Sequence, residues 1–227
     1  MIRTTYEKEL QRLEDQIISL GSEVEANIVK SIEALVQRDL TRSQQFITAD
    51  VKINEQRIQI GLDCLSLIAR QQPMAGDMRL IAAIIEIVGE LERIHDYVKG
   101  IGKISLMLGE RNILPAISEL LPQMALHTRD MLHRALDAFT NRDADLARGI
   151  PANDDKVDAL YNRIYCEIIT YVTENSAEVE HANRLEWASH NLERSADRVS
   201  NICEWIIYMI DGKYVELDSE IEAPPSL

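Results

Sequence analysis

The sequence has few of the residues that build turns. Its 227 residues include only nine glycines and six prolines, and aromatic residues make up 5%. A β fold with many tight turns needs more glycine and proline than this, so the composition favours helices. Apolar runs are short, and none approaches the roughly 20 residues that a membrane span requires. The charged N-terminal segment MIRTTYEKEL also argues against a signal peptide.

Positive charge is scarce as well. The chain has 24 Lys and Arg against 38 Asp and Glu, a formal net charge of −14. This excess of negative charge argues against nucleic acid as a direct ligand, because phosphate would be repelled. The three cysteines, Cys64, Cys166 and Cys203, lie far apart in apolar helical stretches. They predict reduced core thiols in a cytoplasmic protein.

Apolar residues recur every three or four positions along almost the whole chain, which predicts helices. The expected helices cover about residues 5–38, 42–70, 76–107, a segment from Ile117 to Phe139, 143–173 and 177–210. Pro151 lies inside the fifth of these, where it should kink the helix just before Asp154.

The two halves of the chain resemble each other. The segment TADVKIN at 48–54 matches ANDDKVD at 152–158, and the motif L-E-R-x-x-D begins at Leu91 and again at Leu192, an offset of 101. We therefore predict an all-α protein of two tandem, pseudo-symmetric three-helix up-down-up bundles, residues 1–109 and 110–214. The acidic, proline-containing segment 215–227 is predicted to be a flexible tail.

Polar residues interrupt the apolar stripe of one helix in each half. With a rotation of 100° per residue, Asp154 and Asp158 fall within the apolar stripe of the fifth helix, which is predicted to hold Val157, Tyr161, Tyr165, Ile168, Ile169 and Val172. Asp50 and Asn54 have the same placement in the second helix, whose predicted stripe includes Leu65. An ionised carboxylate in an apolar stripe is costly unless it is paired or coordinated, so these positions are candidates for a site.

The following helix of each half carries a second acidic pair, four residues apart on one face. These pairs are Glu92 with Asp96 and Glu193 with Asp197. Residues equally far from the turn of an antiparallel helix pair lie at equal height. Counting from each turn therefore predicts that every acidic pair faces the polar pair of the preceding helix.

Like charges placed this close repel each other, and bridging cations would remove the repulsion. Ligands that offer only oxygen suit hard or borderline metal ions, which makes metal binding the favoured interpretation. The alternative is a structural network in which arginine neutralises the carboxylates, with Arg194 and Arg198 as candidates. By helical rotation, however, Arg194 should point away from Glu193 and Asp197 toward a neighbouring helix or a partner.

Four separated motifs resemble those of the PhoU family, which comprises accessory regulators of bacterial phosphate uptake. IARQQPMAGDMRLI resembles the family's R-Q-Q-P segment, ELERIHDYVKGI and NLERSADRVSNI resemble its repeated L-E-R segments, and the helix ending YMIDG resembles its last motif. The resemblance extends over nearly the whole chain, to about residue 215.

The resemblance implies a cytoplasmic, non-enzymatic, often homodimeric helical protein. It implies bound divalent or trivalent metal ions such as iron, Mn, Mg or Zn, held by Asp154, Asp158, Glu193 and Asp197 and, in the first half, by Asp50, Asn54, Glu92 and Asp96. It further implies a negative regulator that links the ATPase subunit of the phosphate ABC transporter to the phosphate sensor histidine kinase. Contact with the membrane would be indirect, through those partners.

Some residues depart from the family pattern. His95 stands where the family usually has Gly, and Gly100 replaces an expected Asn, so we regard the second site as the more complete one. His95 is interpreted as a core histidine with a satisfied hydrogen bond, the alternative being an extra metal ligand. Two further functions stay open: a carboxylate-bridged di-metal enzyme, whose usual signature of Glu-x-x-His on two helices is absent, and a plain helical scaffold.

Overall fold

A computed structural model of the chain describes residues 2–217, and helices make up almost all of it. The helices are α1 Ile2–Gln37, α2 Leu40–Gln71, α3 Ala75–Leu108, α4 Pro115–Asn141, α5 Ala144–Gly149, α6 Asp154–Glu174 and α7 Val179–Asp211. Residues 2–217 contain no β-strand, which confirms the all-α prediction. They also contain no helix long and apolar enough to cross a membrane.

The predicted fifth helix is divided in two. The short α5 ends at Gly149, a 3₁₀ turn covers Pro151–Asn153, and α6 starts at Asp154. Proline lacks an N–H and fixes its own φ, so it ends a helix but fits the first position of a new one. The predicted kink is thus a full break, and it falls directly before the first candidate carboxylate of the second half.

The corner between the first two helices of each half is built in the same way. Arg38 and Arg142 end α1 and α4 with positive φ angles of 58° and 51°. The next residue, Asp39 or Asp143, caps the following helix by accepting a hydrogen bond at 2.9 Å from the backbone N–H three residues later. The two halves therefore repeat each other in backbone conformation as well as in sequence.

Four helices form the centre of the molecule. α1, α3, α7 and α4 follow one another around a ring, each packed against the next. α2 packs on the outside against α1 and α3, and α6 packs on the other side against α4 and α7. One apolar core runs through all of them, so the two bundles are joined over a broad shared surface.

The helices α3 and α7, one from each half, run antiparallel to each other. Near one end, Arg79 Nε donates to the Met209 carbonyl oxygen at 3.4 Å. Near the other, Arg184 Nη1 donates to the Met107 carbonyl oxygen at 2.6 Å. α3 carries one copy of the L-E-R-x-x-D motif and α7 carries the other, so this single helix pair holds both copies.

Charged and small residues lie at the middle of that pair. The buried Glu90 of α3 lies 3.6 Å from Arg198 Nη1 and accepts a hydrogen bond from Asn201 Nδ2 at 3.4 Å. At Gly100 the helices are so close that an added Cβ would stand 2.9 Å from Asn191 Nδ2. Gly100 therefore leaves space for the Asn191 side chain of α7, which would have to move if residue 100 carried a Cβ.

The apolar stripe of α6 lies one residue away from the predicted one. Tyr165 and Ile169, placed in the core by the helical projection, are about half exposed. The buried residues are Val157, Leu160, Ile164 and Ile168. Asp154 is half-buried and Asp158 exposed, so both lie at the edge of the stripe and not within it. In α2, likewise, the predicted core residue Leu65 is 57% exposed, and Ile60 and Leu67 are buried instead.

The cysteine prediction is right for two of the three thiols. Cys64 and Cys203 are buried free thiols, as expected. Cys166 is exposed, because it lies on the outer face of α6, away from that helix's buried stripe.

The segment after α7 turns back along that helix. Tyr214 Oη donates to Glu204 Oε2 at 2.7 Å, and the Leu217 backbone N–H donates to Glu204 Oε1 at 2.8 Å. The start of the predicted tail is thus held against α7 through one buried carboxylate. Residues 218–227 of that prediction lie outside the described part of the chain.

The close packing of α2 against α3 at Gly102 leads to a prediction about stability. A Cβ at Gly102 would stand 2.8 Å from the Ser43 carbonyl oxygen, so Gly102→Ala should destabilise the fold by about 1–3 kcal/mol. Gly89, in the same helix, has no heavy atom within 4 Å of an added Cβ. Gly89→Ala is the matched control and should stabilise by about 0.5–1 kcal/mol through helix propensity. Urea unfolding followed by circular dichroism measures both, and equal effects would contradict this packing.

Candidate functional site

In the first half, a lysine stands between two of the candidate carboxylates. Lys99 Nζ lies 2.6 Å from Asp50 Oδ2 on α2 and 2.6 Å from Asp96 Oδ1 on α3. The side chain of Asp50 is only 14% exposed and that of Asp96 is 45% exposed. One ammonium group therefore joins the two helices at the level of the cluster.

His95 occupies the inner side of the same cluster and is fully buried. Its Nδ1 lies 3.2 Å from Asp50 Oδ1 and its Nε2 lies 3.4 Å from Asn27 Nδ2 on α1. Asp50 can only accept, so Nδ1 carries the proton and Nε2 accepts from the amide. The structure thus supports the core-histidine interpretation. Glu92 and His95 have the Glu-x-x-His spacing, but both ring nitrogens are engaged within the protein.

The charge of Asp50 is balanced by the protein itself. Burial alone would raise the pKa of Asp50, but hydrogen bonds and charge from Lys99 and His95 outweigh it and lower that pKa below 3.8. Burial lowers the pKa of His95 below 6.5, against the opposing effect of Asp50, so the ring is mostly neutral at pH 7. Asp50 is therefore an ionised carboxylate with both oxygens bonded.

The two other predicted members of this cluster lie farther out. Asn54 is exposed, one turn along α2 from Asp50. Glu92 is half-buried, and burial followed by the negative charge of Asp96 raises its pKa. The height matching holds for Asp50 and Asp96, which one ammonium group joins, and the charges of both raise the pKa of Glu92.

The second half brings carboxylates together without a bridging lysine. Burial raises the pKa of Asp158, and the negative charges of Asp197 and Asp155 raise it further. The pKa of Glu193 is raised by burial first, then by Asp197 and Asp158, against the positive charges of His190 and Arg194. Asp158 on α6 thus faces Glu193 and Asp197 on α7, as the counting from the turn predicted.

The arginines follow the predictions only in part. Arg194 Nη1 donates to Asp197 Oδ2 at 2.6 Å, which agrees with the alternative that arginine neutralises a carboxylate and contradicts the prediction that Arg194 points away from both acids. It also lies beside Tyr97 of α3, which agrees with the predicted contact to a neighbouring helix. Arg198 lies beside Glu90 at the α3–α7 contact. Within residues 2–217, Asp158 has no Lys, Arg or His within ion-pair distance.

The two clusters differ in how well their side chains could hold a metal ion. In the first, both oxygens of Asp50 accept hydrogen bonds and Lys99 Nζ lies between Asp50 and Asp96, so that cluster does not fit a metal ion as it stands. In the second, Glu193 Oε2 is buried without a hydrogen bond, with His190 Nδ1 3.4 Å away, and the neighbouring carboxylates repel one another. Across residues 2–217, no three His, Cys, Asp or Glu side chains are close enough together to hold a metal ion in their present rotamers. The second set has the right donors, and it needs side-chain rotation to converge.

The repeated architecture matches a known family. The family model described as "PhoU domain" matches residues 17–105 and again residues 121–206. The chain belongs to the PhoU family. Each of the two matches contains one acidic cluster, so the two clusters are equivalent parts of two PhoU domains.

Relatives from several bacteria match along almost the full length. The phosphate-specific transport system accessory protein PhoU of Edwardsiella tarda is 34% identical over 92% of this chain and 85% of its own length. A PhoU homolog of Clostridium acetobutylicum is 32% identical over 96% of this chain and its entire length. The crystal structure of the phosphate transport system regulatory protein PhoU from Streptococcus pneumoniae superposes with a TM-score of 0.86 at 31% identity, covering 93% of this chain and all of that one.

Lys99 is the residue of the PhoU-domain cluster that motif analysis missed. Alignment of the two L-E-R-x-x-D copies pairs Lys99 with Ser200, so the difference is visible in the sequence. A lysine three residues after Asp96 on a helix can reach that carboxylate, which was the available signal. Its reach to Asp50 on another helix depends on how closely α2 and α3 pack.

The two clusters should affect stability with opposite signs. A carboxylate with a lowered pKa, such as Asp50, stabilises the fold above its unfolded pKa, and this contribution is lost as pH falls through the folded value. Glu193 has a raised pKa, so its favourable contribution exists below about pH 4.5 and is lost as pH rises through the raised value.

We therefore expect Asp50→Asn to lower the free energy of unfolding at pH 7 by about 1–3 kcal/mol, with a smaller effect below pH 3.8. In metal-free buffer with a chelator, Glu193→Gln should raise it at pH 7 by about 0.5–1 kcal/mol, because a repelled charge is removed. This gain should vanish below pH 4.5. Urea unfolding across pH 3–8 measures both, and effects of the same sign would contradict the assigned charges.

Proposed function

We propose that this protein is a negative regulator of phosphate uptake and of phosphate-starvation signalling. The observation that carries the proposal is the pair of PhoU domains, which together account for most of the chain. Relatives over more than nine tenths of the chain are named as phosphate-specific transport system accessory proteins. A regulatory role in phosphate transport is the function that this likeness supports.

In the proposed mechanism the protein acts by contact and not by catalysis. It would link the ATPase subunit of the phosphate ABC transporter to the phosphate sensor histidine kinase from the cytoplasmic side. The net charge of −14 suits binding to basic protein surfaces and disfavours nucleic acid. We include a homodimer in this proposal, for which the exposed apolar residues Ile58, Leu62 and Leu65 of α2 offer a surface.

The proposal includes a metal site in the second PhoU domain. Asp154 and Asp158 on α6 and Glu193 and Asp197 on α7 would supply carboxylate oxygens, the donors preferred by Mg²⁺, Mn²⁺ and iron. A bound cation would relieve the mutual repulsion that raises the pKa of Asp158 and Glu193. It would also tie α6, which packs on the outside of the bundle, to the central helix α7.

Metal analysis tests this site. We expect the purified protein to carry bound metal and the double variant Asp154→Ala, Glu193→Ala to lose it, since half of the carboxylate donors are removed. The matched control is Asp130→Ala, Glu167→Ala, which removes the same charges from exposed positions. Elemental analysis after dialysis against Mn²⁺ measures all three proteins. A native protein without bound metal would contradict the site.

Gene deletion tests the regulatory role. In the source organism, loss of the gene should switch on phosphate-uptake genes in phosphate-replete medium, and the intact gene supplied in trans should restore repression. Transcript levels of those genes give the measurement. A pull-down should recover the transporter ATPase and the sensor kinase. Unchanged transcripts in the deletion strain would count against the proposal, and turnover of O₂ or phosphoesters by the metal-loaded protein would favour an enzyme.

A further inference from the structure

We infer that Lys99 takes the place of a metal ion in the first PhoU domain, so that the two acidic clusters of this chain are balanced by different cations. The first would be closed by the protein's own ammonium group, and the second alone would accept a metal ion. This inference rests on the proposed metal site only in what it says of the second domain.

The position of the Lys99 ammonium group is that of a bridging cation. It contacts one oxygen of Asp50 on α2 and one oxygen of Asp96 on α3, each at 2.6 Å. A metal ion bound by the same carboxylates would have to lie between the same two helices. Because a cation and an ammonium group repel each other, both cannot occupy this space.

The remaining oxygen of Asp50 is also committed. His95 Nδ1 donates to it at 3.2 Å from a fully buried ring, and Asn27 holds the other ring nitrogen at 3.4 Å. Each oxygen of Asp50 therefore already has a partner inside the protein, and a metal ion would have to share that oxygen with it. Asp50 thus belongs to a hydrogen-bond network that runs from Asn27 on α1 through His95 on α3 to Asp50 on α2.

The equivalent position of the second domain cannot supply such a cation. Ser200 stands where the first domain has Lys99, is fully buried and is too short to cross to α6. Two basic side chains touch the second cluster, Arg194 at Asp197 and His190 at 3.4 Å from Glu193, and both lie on α7, the same helix as their partners. Each therefore contacts a carboxylate of its own helix, whereas Lys99 joins carboxylates of two helices.

The first domain can be tested by itself in the full-length chain. Asp158→Asn, Glu193→Gln removes donors of the second cluster and serves as the background. Into this background we place Lys99→Ser, which copies the second domain, Lys99→Gln, which keeps length without charge, and Lys99→Arg, which keeps charge. Mn²⁺ is the probe. Its binding is followed by the electron paramagnetic resonance signal of the free ion and by the shift in melting temperature on adding Mn²⁺.

We expect the background and Lys99→Arg to bind Mn²⁺ weakly and show no melting shift. Lys99→Ser and Lys99→Gln should bind more than about tenfold more tightly and melt at higher temperature with Mn²⁺, because a positive charge within about 4 Å has been removed. Adding Asp50→Asn should abolish the gain, which locates the ion in the first domain.

Two results would overturn the inference. One is Mn²⁺ binding by the background that Asp50→Asn abolishes, because Lys99 would then be compatible with a metal ion. The other is the absence of any gain in Lys99→Ser and Lys99→Gln, including the case in which Mn²⁺ fails to restore folding to a destabilised variant. Failure of the proposed second site is a separate result, seen as a lack of metal in the native protein.

Discussion

The antiparallel contact between α3 and α7 determines where the two acidic clusters and the outer helices α2 and α6 lie. Both helices carry an acidic motif on one side and need their opposite side to pack. Gly100 leaves space for the Asn191 side chain of α7, and Glu90 contacts Arg198 and Asn201 across the α3–α7 interface. Because the contact is made by equivalent helices of the two PhoU domains, the clusters are fixed on opposite flanks. Each then faces the outer helix of its own domain, α2 or α6.

Much of this arrangement follows from residue patterns alone. The three-to-four-residue apolar repeat predicted the helices, and the repeated L-E-R-x-x-D motif predicted two equivalent halves. Counting from the turns correctly brought Asp158 opposite Glu193 and Asp197, because antiparallel helices rise at the same rate per residue. These predictions succeed since they depend only on the geometry of a regular helix.

Other features depend on tertiary packing and could not be read from a single helix. The core stripe of α6 is centred on Leu160 and Ile164, because α4 and α7 both cover that face, and a projection of one helix cannot show where its neighbours lie. The reach of Lys99 to Asp50 depends on the spacing of α2 and α3 in the same way. The convergence of the second set of carboxylates on one metal ion depends on side-chain rotamers. That convergence stays a prediction.

The break at Pro151 places a helix N-terminus, with its partial positive charge, at the acidic cluster of the second domain, and the first domain has no such feature. α6 begins at Asp154, with Asp155 beside it in the first turn, whereas Asp50 lies well inside the continuous α2. The aligned peptide dipoles of a helix leave roughly half a positive charge at its N-terminus. One domain thus meets an acidic cluster with a side-chain ammonium group. The other has the partial positive charge at the start of α6 beside Asp154, a charge that no titration removes.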